Sequence, residues 1–168
     1  MVSSLESTTS DSIVSIILDK ATRKILLLKR ADDIKHAGNV CLPGGYRDNT
    51  DNNAVGTAIR ETFEETGIDL HTLNIADAEL ISNFETSYQH KVSAYYFLIE
   101  SYPSILLSKE SSEYFFIDLD FIRNKNHFIY NANAQKHFLS LQFHGYNIWG
   151  ITATILFAFI DKIKYLKL

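Results

Sequence analysis

One stretch of sequence decides the fold: PGGYRDNTDNNAVGTAIRETFEETGI, residues 43–68. Its polar segment, residues 48–53, is typical of a loop that ends in a helix N-cap. The pattern that follows predicts a helix from Ala54 to Thr66, because Gly67 stands where a helix-terminating glycine belongs. We expect one apolar face of this helix at Val55, Ile59 and Phe63.

Three glutamates of the predicted helix, Glu61, Glu64 and Glu65, share one patch, because residues three and four apart face the same side. Like charges at this spacing destabilise a bare helix, and Arg60, four residues before Glu64, offsets part of the repulsion. A hard divalent cation offsets it better, since Mg²⁺ takes carboxylate oxygens and bridges to substrate phosphates. Glutamates at helical spacing are also common on a solvated face, so the pattern alone leaves that alternative open.

The region resembles the Nudix box, usually written G-x5-E-x7-R-E-U-x-E-E-x-G-U with U aliphatic. Here residues 60–68 read RETFEETGI, so Thr62 occupies the first aliphatic position. The interval from Gly45 to Arg60 is one residue longer than in the common box, and Asp51 stands near its first, more variable glutamate. The resemblance implies that the three helix glutamates bind a metal, and it does not extend this role to Asp51.

This resemblance implies a hydrolase that uses Mg²⁺ or Mn²⁺ to cut a diphosphate bond. It makes Glu64 and Glu65 the leading metal ligands and Glu61 a ligand or a general base. Gly45 would offer a backbone group to the metal or to a phosphate, with a simple turn glycine as the alternative. Arg60 would orient Glu64 rather than touch the substrate.

The extra loop residue is similar to the coenzyme A diphosphatase branch of these hydrolases, whose loop resembles P-G-G-x-x-D-x-x-D before a T-A-L-R-E helix. Here the loop reads PGGYRDNTD at residues 43–51, and the helix reads TAIRE at residues 57–61. Upstream motifs of the branch resemble LLLKR at residues 26–30 and HAGNVCLPGG at residues 36–45. The late segment YNIWGITA at residues 146–153 is also similar, so the resemblance covers most of the chain.

Some Nudix enzymes place a further glutamate from a later loop near the attacking water. Glu110 and Glu113 are the candidates here, because they precede an apolar strand. A solvated loop acid is the alternative for each of them.

A basic cluster stands beside the box and consists of Lys29, Arg30, Lys35 and His36. Coenzyme A carries a 3′-phosphate besides its diphosphate, and cationic groups suit such an anion. We therefore expect Arg30, Lys35 and His36 to bind substrate together with Gly44 and Gly45, with a solvated loop as the alternative for the basic residues.

The bulk composition fits one globular domain. The chain has 168 residues, 46% of them hydrophobic and 21% charged, and a formal net charge of −4, which does not favour nucleic-acid binding. We predict a flexible tail at residues 1–11 and a single domain at residues 12–168. The one cysteine, Cys41, excludes an internal disulfide and is expected to be a small buried residue.

The chain carries no pattern of a membrane protein. Its longest apolar run, residues 148–160, is too short to span a bilayer and predicts a buried helix. We expect a cytoplasmic enzyme, since the C-terminal sequence LKL is only loosely similar to a peroxisomal SKL ending. The sequence leaves a monomer and a homodimer equally open.

Strands alternate with two main helices, and we predict an α+β domain of the Nudix fold, an α/β/α sandwich around a mixed β-sheet. The predicted strands are 13–18, 24–28, 78–84, 92–99, 113–119, 138–142 and 146–149, and the last helix spans 151–164. The first two strands and the last two form hairpins, the latter around the turn His144-Gly145.

The activity implied by the resemblance is hydrolysis of coenzyme A or acyl-coenzyme A to 3′,5′-ADP and 4′-phosphopantetheine or its acyl form. One alternative is the same chemistry on another nucleoside diphosphate derivative, such as ADP-ribose, NADH or a dinucleotide. A second alternative is a Nudix-fold binding module without catalysis, against which the retention of all three helix glutamates argues.

Overall fold

The structure is a computed structural model that describes residues 11–72, 78–132, 136–164 and 166. The predicted tail lies outside the described residues except for Asp11, as do Lys167 and Leu168 of the C-terminal tripeptide.

Ten strands and three α-helices make up the described chain. The strands are β1 Ser12–Asp19, β2 Lys24–Arg30, β3 Val40–Cys41, β4 Gly44–Tyr46, β5 Glu79–Glu85, β6 Lys91–Ile99, β7 Ser111–Asp118, β8 Ile129–Ala132, β9 His137–Phe143 and β10 Tyr146–Trp149. The helices are α1 Ala54–Thr66, α2 Leu119–Arg123 and α3 Gly150–Lys162, and one 3₁₀ turn spans Lys125–His127.

The main sheet is mixed and divides near its centre. Strand β1 runs parallel to β6 along its whole length but pairs with β2 only at Leu18–Ile25 and Asp19–Lys24. Beyond that point β2 pairs with β3, and β1 pairs with β4. The segment from Val40 to Tyr46 therefore fills the gap between the two central strands, which places the Gly44–Gly45 turn inside the sheet.

Helices cover both faces of this sheet. The side chains of β2 show the division: Leu26 and Leu28 pack in the core beneath α1, whereas Ile25 and Leu27 pack in the core beneath α3. A second sheet of three strands, in the order β10–β9–β8, packs with α3. The predicted α/β/α sandwich around a mixed sheet is confirmed.

The structure confirms the long predicted elements and adds short ones. Helix α1 has the predicted bounds, and both predicted hairpins are present. Strands β3 and β4 have two and three residues, too few for a periodic pattern, and α2 and β8 were likewise not expected.

One face of α1 differs from the expectation. Phe63 was expected to lie with Val55 and Ile59, but it is exposed, whereas Ile59 is buried. The buried face of α1 carries Thr62 and Glu65 instead, because the helix turns polar groups of the site towards the sheet.

The apolar run at residues 148–160 forms the end of β10 and most of α3, as predicted. Its buried residues include Leu156 and Phe159, which pack beneath the main sheet. Among the described residues, no helix has both the length and the apolar character needed to cross a membrane.

Candidate active site

Local capping fixes both ends of the helix that carries the glutamates. The Asn53 side chain accepts a hydrogen bond from Gly56 N–H at 2.8 Å, so the predicted N-cap is confirmed. Gly67 has a φ of 71° and its N–H donates to Phe63 O, which is the left-handed termination that glycine favours. These caps set the rotation of α1 and hence the direction of its glutamates.

The Gly44–Gly45 turn lies directly against two of those glutamates. Gly44 N–H donates to Glu65 Oε2 at 2.9 Å. A Cβ added to Gly45 would stand 2.4 Å from Glu61 Oε2. A side chain at residue 45 would therefore displace the Glu61 carboxylate, and strand β4 brings the glycine to this position.

Arg60 joins the turn, the loop and the helix. Its Nη1 donates to Glu61 Oε1 at 2.8 Å and to Glu64 Oε2 at 3.1 Å. Its Nη2 donates to Tyr46 O at 3.0 Å, which ties the residue after the double glycine to α1. This geometry agrees with the expectation that Arg60 orients Glu64, and it adds Glu61 to the groups that Arg60 holds.

Asp51 anchors the other side of the Arg60 guanidinium. Its two carboxylate oxygens accept from Nε and Nη2 of Arg60, each at 2.9 Å, and Oδ2 also accepts from Thr57 Oγ1 at 2.9 Å. These hydrogen bonds, that from Arg60 foremost, hold the pKa of Asp51 well below its usual range. In this arrangement Asp51 is a hydrogen-bond partner of Arg60 and of Thr57.

Burial dominates the electrostatics of the two inner glutamates. Burial raises the pKa of Glu65 to about 7, against the lowering effect of the Gly44 hydrogen bond, and the charges of Glu61 and Glu110 add to the rise. Burial also raises the pKa of Glu61, against its hydrogen bond from Arg60. Two carboxylates with raised pKa values at one end of a sheet form an anionic site that a cation would stabilise.

The donor set of this site suits a hard divalent cation. Carboxylate oxygens from Glu61, Glu64 and Glu65 with a backbone group of Gly45 are the ligand types that Mg²⁺ and Mn²⁺ prefer. Across the described ranges, no three His, Cys, Asp or Glu side chains already stand in ligating geometry. Arg60 engages Glu61 and Glu64 while Gly44 holds Glu65, so the metal role of these residues stays a prediction.

The departure of Thr62 from the aliphatic pattern has a partner on β1. Thr62 Oγ1 donates to Ser15 Oγ at 3.2 Å, and Ser15 Oγ donates to Ala58 O at 3.4 Å. Both side chains are fully buried between α1 and the sheet. Sequence reasoning missed this pair, since the match depends on a strand 47 residues away.

The two later glutamates lie in different surroundings. Besides burial, the charge of Glu110 raises the pKa of both Glu61 and Glu65, so Glu110 stands near the cluster. Ser108 N–H donates to Glu65 O at 3.0 Å, which brings the chain leading to Glu110 alongside α1. Glu113 instead accepts from Tyr146 Oη and lies 3.7 Å from Lys29 Nζ, in a separate cavity.

The expected basic cluster is divided by the sheet. Lys29 and Arg30 are consecutive at the end of β2, where the pairing with β7 is irregular; Lys29 pairs with Glu113 and lines a separate cavity, so it does not join the other basic residues. Arg30 stays on the glutamate side, where its charge acts on Glu65, and its Nε donates to Lys35 O at 3.0 Å. Lys35 and His36 are exposed in the loop after β2.

Cys41 lies beside the site without an evident chemical role. Burial raises the pKa of its thiol to about 12, and the side chain packs with the core beneath α1. Cys41 was expected to be a small buried residue, and it is partly buried.

Fold and site together define a class: an α/β/α domain in which a double-glycine turn faces a glutamate cluster on a helix. A family model described as NUDIX domain matches residues 9–138. The chain belongs to the NUDIX domain family.

Relatives and solved structures agree with this assignment. The chain is 28% identical over 146 residues to a probable nudix hydrolase of Schizosaccharomyces pombe, covering 83% of this chain and 50% of that protein. It is 29% identical over 151 residues to the uncharacterized Nudix hydrolase NudL of Yersinia pestis (strain Pestoides F), covering 79% and 68%. The crystal structure of MutT protein from Methanosarcina mazei Go1 is similar in fold, with a TM-score of 0.57 at 24% identity over 92% of this chain and 94% of that one. The chain spans half the length of the S. pombe relative.

Proposed function

We propose that the chain is a metal-dependent hydrolase that cuts the diphosphate bond of a nucleoside diphosphate derivative. The observation that carries the proposal is the packing of the Gly44–Gly45 turn against Glu61 and Glu65, with Arg60 bracing Glu61 and Glu64 from the opposite side. Membership of the NUDIX domain family supports the same chemistry.

Each residue of the site has a proposed role. Glu61, Glu64 and Glu65 would hold Mg²⁺ or Mn²⁺ with a backbone group of Gly45. When bound, the cation neutralises phosphate oxygens and lowers the pKa of a bound water. Arg60 positions Glu61 and Glu64 through its hydrogen bonds to both carboxylates. Of the two later glutamates, Glu110 would accept a proton from the attacking water; the hydrogen bond from Ser108 N–H to Glu65 O, which brings the chain before Glu110 alongside α1, supports this choice.

We infer further that coenzyme A or an acyl derivative is the substrate, with 3′,5′-ADP and 4′-phosphopantetheine as products. The segments similar to the coenzyme A diphosphatase branch lie around the site, which supports this choice. Thr152 Oγ1 of the late segment donates to Val40 O at 3.1 Å, and Val40 belongs to the segment that leads to the double glycine. Arg30 ends β2 and donates to Lys35 O, and Lys35 and His36 lie in the loop that follows.

The basic loop residues Lys35 and His36, called the loop cations below, would bind the 3′-phosphate of coenzyme A. Replacing both Lys35 and His36 by Ala should raise the KM for coenzyme A about tenfold, since each lost charge-assisted contact weakens anion binding. The KM for dephospho-coenzyme A, which lacks the 3′-phosphate, should change less than twofold. Equal effects on the two substrates would remove this role from the loop.

A substrate panel tests the proposed function. Coenzyme A, acetyl-coenzyme A, ADP-ribose, NADH and nucleoside triphosphates are offered with Mg²⁺ or Mn²⁺, and products are separated by chromatography. We expect the highest kcat/KM for coenzyme A or acetyl-coenzyme A. A preference for ADP-ribose or NADH would overturn the assignment of coenzyme A as substrate but not the proposed hydrolase activity. Metal-independent binding with no turnover of any compound would indicate a binding module.

A further inference from the structure

An open surface cavity of about 510 Å³ lies beside Val40, whose side chain packs in the core beneath α3. It opens between Lys29 at the end of β2, the loop residues Ala37–Asn39 and the β9–β10 turn. Its volume lies within the range of roughly 300–1,000 Å³ that small-molecule sites occupy. Nothing in the proposed hydrolytic site uses it.

The charges that line this cavity balance one another. Lys29 Nζ lies 3.7 Å from Glu113 Oε2, and the other carboxylate oxygen of Glu113 accepts from Tyr146 Oη. The Tyr146 ring is stacked on Phe115 with 3.7 Å between centroids, which fixes the hydroxyl in place. A cavity whose cation is already paired favours a neutral polar ligand over a phosphate.

The remaining lining offers amide and aromatic groups. Asn39 and Asn147 supply side-chain amides, and Trp149 keeps 42% of its surface exposed at the rim. Gly38 and Gly145 leave open space where a side chain would stand. Amide donors and acceptors beside an exposed indole suit a flexible chain that carries amide groups of its own.

Two chain segments, the end of β2 and the start of β7, connect the cavity with the glutamate cluster. Lys29 and Arg30 are consecutive, yet the first lines the cavity and the second acts on Glu65. Ser108 N–H donates to Glu65 O at 3.0 Å, and Glu113, five residues later, lines the cavity, a separation of at most about 18 Å along an extended chain. One extended substrate can therefore reach both.

We propose that this cavity receives the pantetheine arm of the substrate, while the nucleotide end lies at the loop cations. The inference rests on the proposed function, because it assigns one part of coenzyme A to one part of the molecule. The arm is neutral, carries two amides and extends from the diphosphate, and these are the properties that the cavity selects.

Trp149 is the only tryptophan of the chain, so its fluorescence reports on the cavity. Metal-free protein in EDTA is titrated with 4′-phosphopantetheine and, separately, with adenosine 3′,5′-diphosphate. We expect a saturable change in emission with 4′-phosphopantetheine and a change at least five times smaller with the nucleotide. Ala37→Phe, which fills the cavity from an exposed loop position, should weaken the 4′-phosphopantetheine affinity at least tenfold.

Ala21→Phe is the matched control, because Ala21 is exposed on the β1–β2 turn and does not line the cavity. It should bind 4′-phosphopantetheine as the unaltered protein does, and Asn39→Ala provides a second cavity variant should Ala37→Phe not fold. Emission that responds to the nucleotide alone, or to neither compound, overturns the inference, as does equal affinity in the cavity variants and the control. Binding of the arm without hydrolysis of coenzyme A would overturn the proposed function alone.

Discussion

Glu65 combines a nearly complete burial with a single hydrogen bond from the Gly44 backbone. Burial outweighs that hydrogen bond and raises the pKa of the carboxyl to about 7. A second residue, Asp51, shows the opposite balance, because hydrogen bonds from Arg60 lower its pKa. At the scale of single residues, Glu65 is a buried carboxyl that a cation would stabilise, whereas Asp51 is already paired with Arg60.

The first prediction concerns Glu65→Gln in metal-free protein. The folded state holds the Glu65 proton more tightly than the unfolded chain, whose ordinary value is 4.5. The contribution of Glu65 to the free energy of unfolding should therefore be fully present below pH 4.5 and be lost as the pH rises to about 7. Glu65→Gln should not show this loss and should be more stable at pH 8 by on the order of 1–3 kcal/mol.

Urea unfolding in EDTA across this pH range measures the effect. Glu64→Gln, exposed on the same helix, is the matched control and should change the free energy of unfolding by less than about 1 kcal/mol. An identical pH profile for Glu65→Gln and unaltered protein would contradict the burial argument.

The second prediction concerns Asp51→Asn. The substitution keeps the shape of the side chain but leaves Arg60 with a weaker partner in a mostly buried place, and we expect a loss of about 1–3 kcal/mol of stability. Mg²⁺ affinity, measured by calorimetry, should fall less than for Glu64→Gln. If Asp51→Asn instead abolishes Mg²⁺ binding while the protein stays folded, Asp51 is a ligand. Asp48→Asn, on the exposed part of the same loop, is the control.

Helix α1 and the turn before it form the element on which the site depends. The bounds of the helix were predictable, because its N-cap and its terminating Gly67 are local signals, but its buried face was not, since Phe63 is exposed and Thr62 and Glu65 are buried. The sequence predicted that Gly44 and Gly45 interrupt regular secondary structure, but it did not predict their pairing with β1. Strands β3 and β4 form only because β1 and β2 separate, and no local pattern reports where distant strands part.

The third prediction compares the two glycines of the turn. An added Cβ at Gly44 would stand 2.3 Å from Ile13 O and 2.6 Å from Val14 Cα, backbone atoms that cannot move alone. Gly44→Ala should therefore cost more than about 3 kcal/mol of stability. Gly45→Ala meets only the movable carboxylate of Glu61, so it should cost less than about 1 kcal/mol but weaken Mg²⁺ binding about tenfold.

Thermal unfolding and calorimetry of the two variants separate these effects. Gly56→Ala provides the control, because the nearest atom to its added Cβ, Asn53 Oδ1, is 3.6 Å away. It should leave Mg²⁺ affinity unchanged and raise stability by up to about 0.5 kcal/mol. Unchanged Mg²⁺ affinity in Gly45→Ala would contradict the placement of the turn against Glu61.

At the scale of the whole molecule, the sheet separates the glutamate cluster from the cavity. The α1 face carries the glutamates, and the α3 face carries the neutral cavity at the end of β2. The sequence predicted the sandwich and the candidate metal ligands, but it grouped Lys29 with Arg30, because no local pattern reports that Lys29 pairs with Glu113 of β7. The cavity could not be predicted, since residues from β2, β7 and the β9–β10 hairpin form it jointly.

The most direct test of the central claim is the rate of coenzyme A hydrolysis with and without a divalent cation. Three proteins are compared: the unaltered chain, Glu64→Gln and Glu100→Gln, whose carboxylate pairs with Lys20 on the surface. We predict hydrolysis only after Mg²⁺ or Mn²⁺ is restored to EDTA-treated protein, a loss of about 100-fold or more in kcat for Glu64→Gln, and a change below twofold for Glu100→Gln. Full activity of Glu64→Gln, or an undiminished rate in EDTA, would contradict the account.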